Sequence, residues 1–289
     1  MLLEKFWTSR FKPYCDGRLR ESTLVGYESA WRLHVAPVFG GVDMAAIDVG
    51  MVDGWLAGFD RPGAARKAWA LLRMMLRRAI RWNLLDTDIT RHEVALPDKP
   101  RYDPRLLTIR EQREQLRGFH GAPLEPWLIC AACCGLRTGE GYGLEWKDID
   151  LRSGVVHVER GLQWVNGHET VVGPKTELSR RTLPLPRFAI QRLREIRPRK
   201  GGRLIGALTP PQAARAYRSF CHRHALPYVP PRNLRHTWAT NTLQAGADIA
   251  IVSRMLGHSD IKTTAAYYLK PDITALRDAQ RLYEKQLIG

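Results

Sequence analysis

Apolar residues recur at helical spacing through the first third of the chain. Over residues 23–33, Leu24, Tyr27 and Trp31 fall about one turn apart, and Pro37 with Gly40-Gly41 is expected to end that segment. Residues 45–56 predict a shorter helix, with Asp48 as a side-chain cap ahead of Val49. Residues 62–82 give the clearest helical pattern, with Trp69, Leu72, Leu76, Ala79 and Ile80 on one arc. Three prolines, Pro97, Pro100 and Pro104, then break the periodicity. Beyond them, residues 108–119 predict a helix opened by a Thr108/Glu111 capping box, and 124–134 an apolar, buried one. The pattern then changes to alternation. Residues 155–158 and 162–165 predict strands, Asn166-Gly167 a hairpin turn, 170–172 the returning strand, and 181–185 a third short strand. After Leu208 the helical period returns. These elements predict a mainly α protein with a small antiparallel β-sheet. Its expected parts are a helical domain over 1–96, a proline-rich linker over 97–105 and a mixed α/β domain over 106–289.

Charge adds a partner to this picture. The 289 residues hold 45 Lys+Arg against 29 Asp+Glu, a formal net charge of +16. Such an excess points to a polyanion, because neutralising phosphates releases counterions. The helix over 62–82 carries Arg66, Lys67, Arg73, Arg77, Arg78 and Arg81 and no acid. Arg66, Arg73, Arg77 and Arg81 are therefore expected to lie against DNA phosphates. No uninterrupted apolar stretch is long enough to span a membrane, and Met1-Leu2-Leu3-Glu4-Lys5 lacks the layout of a signal peptide. The expected location is the cytoplasm, in association with the nucleoid of a bacterium.

Five cysteines, three of them clustered, do not form a disulfide framework. Cys130-Ala131-Ala132-Cys133 has no matching second pair, and Cys221-His222-Arg223-His224 reads as a basic helix face. No metal site is expected. There is no GxxxxGK[ST] phosphate loop, which argues against ATP.

The candidate chemistry lies near the C-terminus. The order is Leu234-Arg235-His236-Thr237, then Leu256-Gly257-His258, then Tyr267 nine residues after the histidine. It assembles a cation, an imidazole and a phenol, the groups that attack on a phosphodiester by a protein side chain needs. A plain helix-turn-helix regulator would share the rhythm of 247–256, Gly257 and 261–268. It would leave unexplained the two upstream segments described next.

Four segments in order resemble those of the tyrosine recombinases, or phage integrases. Gly135-Leu136-Arg137-Thr138-Gly139-Glu140 with Leu144-Glu145-Trp146-Lys147-Asp148-Ile149-Asp150 resembles the first arginine box. Pro174-Lys175-Thr176 through Leu185 resembles the hairpin lysine segment, Leu234-Arg235-His236-Thr237 the second arginine box, and Leu256-Gly257-His258 through Tyr267 the nucleophile box. The helices of 1–96 are similar to the family's core-binding domain. One position departs: the family usually places histidine three residues before the second arginine, and here Arg232 stands there.

The resemblance implies that Arg137 and Arg235 bind the scissile phosphate, that Tyr267 is the nucleophile forming a 3′-phosphotyrosyl link, and that Lys175 protonates the leaving 5′-oxygen. Tyr268 is the competing nucleophile, and an exposed turn lysine is the competing reading of Lys175. His258 would bond the phosphate or the phenol, Glu140 would orient an arginine or a helix terminus, and His236 would pack or bond inside the domain. Arg232 keeps a cation near phosphate but cannot exchange protons near neutral pH. No cofactor is expected, since arginines carry the charge that magnesium carries in transposases built on carboxylates.

The function implied is a site-specific recombinase or integrase acting on double-stranded DNA at attachment or crossover sites. The alternatives are a catalytically impaired DNA-binding protein of the same fold and a type IB topoisomerase-like activity. The implied assembly is a homotetramer on two duplexes, with accessory DNA-bending proteins as further partners. An apolar stripe of Ile273, Leu276, Gln280, Tyr283 and Leu287 is expected to dock on a neighbouring protomer or fold onto its own domain. Larger integrases carry an additional arm-binding domain. Here the helical pattern begins almost at Met1, so that domain is expected to be absent or trimmed.

Overall fold

In the computed structural model the described residues are 1–98, 103–173, 180–198, 201–258, 260–268, 280–281 and 284, without the side chains of 263 and 266–268. The chain divides into two compact units, Met1–Asp103 and Pro104–Gly289. The break falls inside the proline-rich stretch 97–105.

The first unit is helical. Helix α1 covers residues 3–15 and α2 residues 21–39, and each contains a π turn, Trp7–Phe11 and Trp31–Val35. In both, a proline, Pro13 or Pro37, lies six residues after the tryptophan that opens the turn. A prolyl ring in a regular helix clashes with the carbonyl four residues back. The wider π register, with Lys12 N–H donating to Trp7 O and Ala36 N–H to Trp31 O, makes room for the ring. Pro37 therefore does not end α2, as the sequence pattern suggested; the helix runs to Phe39. The two tryptophans stack with centroids 4.8 Å apart at 11°. Helix α3 (Val49–Ala57) is capped by Asp48, which accepts from Met51 N–H. Helix α4 (Pro62–Arg81) buries Ala65, Ala68, Trp69, Leu71, Leu72, Met75, Leu76 and Ala79 in the core of the unit.

The second unit opens with α5 (Ile109–Gly118), whose Thr108/Glu111 capping box forms in full. Helix α6 (Glu125–Cys133) is buried at every residue but Pro126 and lies in the larger hydrophobic core. Helix α7 (Thr138–Gly143) follows.

The β part is two sheets, where the sequence predicted one. Strands β1 (Ile149–Asp150), β2 (Val155–Val158) and β5 (Arg181–Pro184) form an antiparallel sheet in the order β1-β2-β5. Strands β3 (Gly161–Val165) and β4 (His168–Val172) form a separate hairpin. Its two-residue loop has Asn166 at φ 48° and Gly167 at φ 82°. Spacing identifies strands but not their partners, which explains the difference. Helix α8 (Arg187–Glu195) was not predicted, and α9 (Pro210–Arg223), α10 (Pro231–Gln244), α11 (Ile249–Leu256) and α12 (Ile261–Tyr268) complete the described elements.

All five cysteines are buried free thiols. Burial pushes Cys133 up to about 12, which leaves it inert as a nucleophile. Among the described residues no helix is long and apolar enough to cross a membrane, and no group of His, Cys, Asp and Glu could hold a metal.

Candidate active site

In the second unit, three stretches distant in sequence meet around one imidazole. The first is the turn into α7. Gly135 sits at φ 58°, and a Cβ there would lie 2.4 Å from the Trp238 ring, so only glycine fits. Two residues on, Arg137 precedes α7, with its side chain 41% exposed. Its Nη1 donates to Glu140 Oε1 at 2.8 Å and its Nη2 to the Gly257 carbonyl at 2.7 Å.

The second stretch is α10, which carries Arg235 at 8% exposure. Its Nη1 donates to the Gly135 carbonyl at 2.9 Å, and its Nη2 to the Leu256 carbonyl at 2.7 Å and to His258 Nε2 at 2.8 Å. On the same helix His236 is half-buried. Burial first, then Arg235 and Arg232, lowers its pKa. Arg232 is exposed on the first turn of α10.

The third stretch is the turn between α11 and α12. Asp248 caps α11 by accepting from Ala250 and Ile251 N–H. At the other end Gly257 takes the left-handed conformation, φ 65°, and His258 N–H closes on the Ser253 carbonyl. This turn delivers His258. Burial, and next the charges of Arg235, Arg137, Arg181 and His236, lower its pKa to about 4. The imidazole is therefore neutral at physiological pH.

Glu140 links these parts. Glu140 is 9% exposed, and its carboxylate accepts from Arg137 N–H and from both the Arg137 and Arg181 guanidiniums. Burial alone would raise its pKa, but the bonds and charge of Arg181, then Arg137, hold it below the ordinary value. Arg181 also donates Nε–H to the Met255 carbonyl at 2.7 Å.

Arg137, Glu140, Arg235 and His258 thus form one network. Lys175 and the tail residues Ile273, Leu276, Tyr283 and Leu287 lie outside the described residues, and Gln280 is exposed. The backbone of α12 carries Tyr267 and Tyr268, whose side chains are likewise outside. Sequence reasoning assigned no role to Arg181 or Thr264. For Arg181 the signal was there. Strand alternation puts it on the face of Leu183, and it pairs with buried Val158, so an inward cation needed a buried acid.

In the first unit the basic face of α4 is present, and three of its four expected phosphate ligands also bond within the unit. Arg73 Nη2 donates to the Thr90 carbonyl at 3.2 Å, Arg77 Nε to Thr90 Oγ1 at 3.0 Å and Arg66 Nη2 to the Pro97 carbonyl at 3.1 Å. Irregular backbone over 88–97 needs donors, and these arginines supply them. Lys67 and Arg81 are exposed.

Residues 123–273 match the model of the phage integrase family, more than half of the chain. A tyrosine recombinase XerC from Rhodospirillum centenum is 30% identical over 250 residues, 78% of this chain and 68% of that protein. A tyrosine recombinase XerC-like protein from Caldanaerobacter subterraneus subsp. tengcongensis is 30% identical over 190 residues, 55% of this chain and 48% of its own length. Here the match spans about half of the relative. Among solved structures, the Tn1549 transposon integrase in complex with transposon right-end DNA superimposes with a TM-score of 0.81. The identity is 18%, over 98% of this chain and 100% of that one.

Proposed function

Because this chain belongs to the phage integrase family, the tyrosine recombinases, we propose that it cuts and rejoins DNA at specific sites through a 3′-phosphotyrosyl intermediate on Tyr267. One observation carries the reading: Arg235 Nη2 lies 2.8 Å from His258 Nε2, while Arg137 Nη2 lies 2.7 Å from the carbonyl of the residue before it. One guanidinium from the turn before α7 and one from α10 meet at the Gly257–His258 turn, where the imidazole is neutral, ahead of the helix that carries Tyr267.

A phosphodiester resists attack because its charge repels nucleophiles and grows in the transition state. Arg137 and Arg235 stabilise that charge at the nonbridging oxygens. Tyr267 attacks phosphorus, the bond to the 5′-oxygen breaks, and Lys175 gives that oxygen its proton. His258 bonds the phosphate or the phenol, and Glu140 holds Arg137 in place. The phosphotyrosyl bond conserves the energy of the broken one, so rejoining needs neither ATP nor another cofactor. The partner is double-stranded DNA at an attachment or crossover site. The acting assembly is a homotetramer on two duplexes, served by DNA-bending proteins, and the setting is the bacterial cytoplasm.

The test is Arg137→Lys, which keeps the charge at a half-exposed position but loses the fork of donors. Single-turnover cleavage of a nicked duplex, chosen by the chain from a random pool, should fall roughly 10²–10³-fold, the scale of losing one transition-state donor. DNA affinity should hold within a few-fold. Unchanged cleavage would remove Arg137 from the reaction.

Arg232 gives a second expected result. Arg232→His places a group with a reference pKa near about 6.5 where a guanidinium stands, so cleavage should rise or its pH profile shift. Arg232→Ala should lose more than Arg232→Lys. Equal rates for all three across pH would put Arg232 outside the site.

For the first unit, the exposed pair Lys67 and Arg81 is the clean probe of phosphate contact, because Arg73 and Arg77 also brace Thr90. Replacing Lys67 and Arg81 with Ala should weaken binding across sequences and flatten the salt dependence by about two units of slope. A slope equal to that of the parent would mean that this face meets only solvent.

A further inference from the structure

We propose that Thr264 is a positioning residue: its hydroxyl, 2.8 Å from His258 Nδ1, holds the imidazole in the orientation in which Arg235 selects its tautomer, and ties the helix carrying Tyr267 to the Arg235–His258 pair. The inference rests on the recombinase reading for its catalytic consequence, and on geometry alone for the tautomer.

The tautomer follows from donor and acceptor inventory. A guanidinium has only donors, so Nε2, facing Arg235 Nη2 at 2.8 Å, must be the acceptor. A neutral imidazole has one donor and one acceptor, so the proton sits on Nδ1 and is given to Thr264 Oγ1. The charged and titratable groups acting on the ring are Arg235, Arg137, Arg181 and His236, and with burial they keep it neutral. A neutral ring can exist in either tautomer. Arg235 selects the Nδ1–H form, and Thr264, accepting that proton, holds the ring in the orientation where the selection applies.

The site of that hydroxyl is informative. Thr264 is 0% exposed and stands on α12, six residues after His258 and three before Tyr267. Thr in a helix interior commonly bonds its own helix or faces solvent. Here its oxygen reaches instead to the turn that precedes the helix. The chain Arg235–His258–Thr264 therefore runs from a phosphate-binding cation to the helix of the nucleophile. It sets the rotation of α12 about its axis and keeps the lone pair of Nε2 directed at the guanidinium. When phosphate draws the Arg235 guanidinium onto itself, the lone pair of Nε2 is released and can accept from the Tyr267 phenol.

The test compares Thr264→Val, which keeps the shape and loses the hydroxyl, with Thr264→Ser, which keeps the hydroxyl. Ring-nitrogen NMR on the full chain without DNA reads the tautomer, with His258→Asn identifying the signal. The parent and Thr264→Ser should show the Nδ1–H form, and Thr264→Val, in which the ring is free to turn away from Arg235, a mixture or the Nε2–H form. In single-turnover cleavage Thr264→Val should slow the reaction roughly tenfold or more, the scale on which outer partners that orient a histidine act. Thr264→Ser should stay within about twofold of the parent. A valine variant that fails to fold hands both measurements to Thr264→Ala. Retention of the Nδ1–H form and of the parental rate without the hydroxyl would overturn the proposal. No cleavage by the parent on any selected DNA would instead count against the recombinase reading, with the tautomer still deciding the role of Thr264.

Discussion

Tyr267→Phe is expected to abolish the covalent protein–DNA complex, with cleavage lowered by roughly 10⁴–10⁶-fold, the scale on which removing an enzyme nucleophile acts. The substitution takes away one oxygen and keeps the ring. Affinity for DNA comes from many phosphate contacts, so a single hydroxyl, worth on the order of 1 kcal/mol, changes it only a few-fold. Tyr268→Phe should leave the covalent complex intact. Denaturing gels of the protein with a nicked duplex, beside gel shifts on the intact site, read both quantities. If Tyr268→Phe abolishes the complex and Tyr267→Phe does not, the nucleophile has been misassigned by one residue.

The second large effect is structural. Arg181 has a side chain 7% exposed and bonds both oxygens of a buried carboxylate, Glu140, at 2.9 and 2.7 Å. Breaking a buried pair by removing one partner leaves an uncompensated charge, at a cost of about 3–5 kcal/mol. Arg137 still bonds Glu140, which places Arg181→Ala at the lower end, about 3 kcal/mol. That corresponds to a fall in Tm on the order of 10 °C for a unit of this size. The depressed pKa of Glu140 sets the pH window. The folded carboxyl ionises more readily than the unfolded one, so its contribution is present above about pH 4.5 and is lost as pH falls. Melting curves at pH 7 and pH 4 should therefore separate parent and Arg181→Ala widely at the first and less at the second. Coincident curves at pH 7 would mean that the pair stabilises nothing. Cleavage should also drop in this variant, since Glu140 orients Arg137.

What the sequence made legible was local. The Thr108/Glu111 capping box, the Asp48 cap, the Asn166-Gly167 turn and the apolar helix containing Cys130 and Cys133 each depend on residues within a few positions. The site was legible to the extent that its residue types stand in a recognisable order, and Arg137, Glu140, Arg235 and His258 do meet. What stayed hidden depends on distant partners. Pro37 reads as a helix stop because the π turn that accommodates it leaves no mark in residue spacing. The strands of the two sheets have the same alternation, and only pairing separates β3-β4 from β1-β2-β5. The bonds of Arg66, Arg73 and Arg77 within their own unit stayed hidden because the acceptors, the carbonyls of Pro97 and Thr90 and the Thr90 hydroxyl, lie 13 to 31 residues away. Thr264 is ordinary in sequence and acquires a role only through the turn that brings His258 beside it.

The most direct measurement of the central claim is the identity of the residue joined to DNA. The protein is incubated with a duplex drawn from its own selected pool and nicked near the cleavage point, so that the 5′-hydroxyl fragment diffuses away and the covalent complex accumulates. The complex is digested, and the peptide carrying the nucleotide is sequenced by mass spectrometry. The account predicts a 3′-phosphotyrosyl bond to Tyr267, formed without added metal or ATP. A nucleotide on Tyr268 or any other residue, or strand cleavage that leaves no covalent complex, would contradict it.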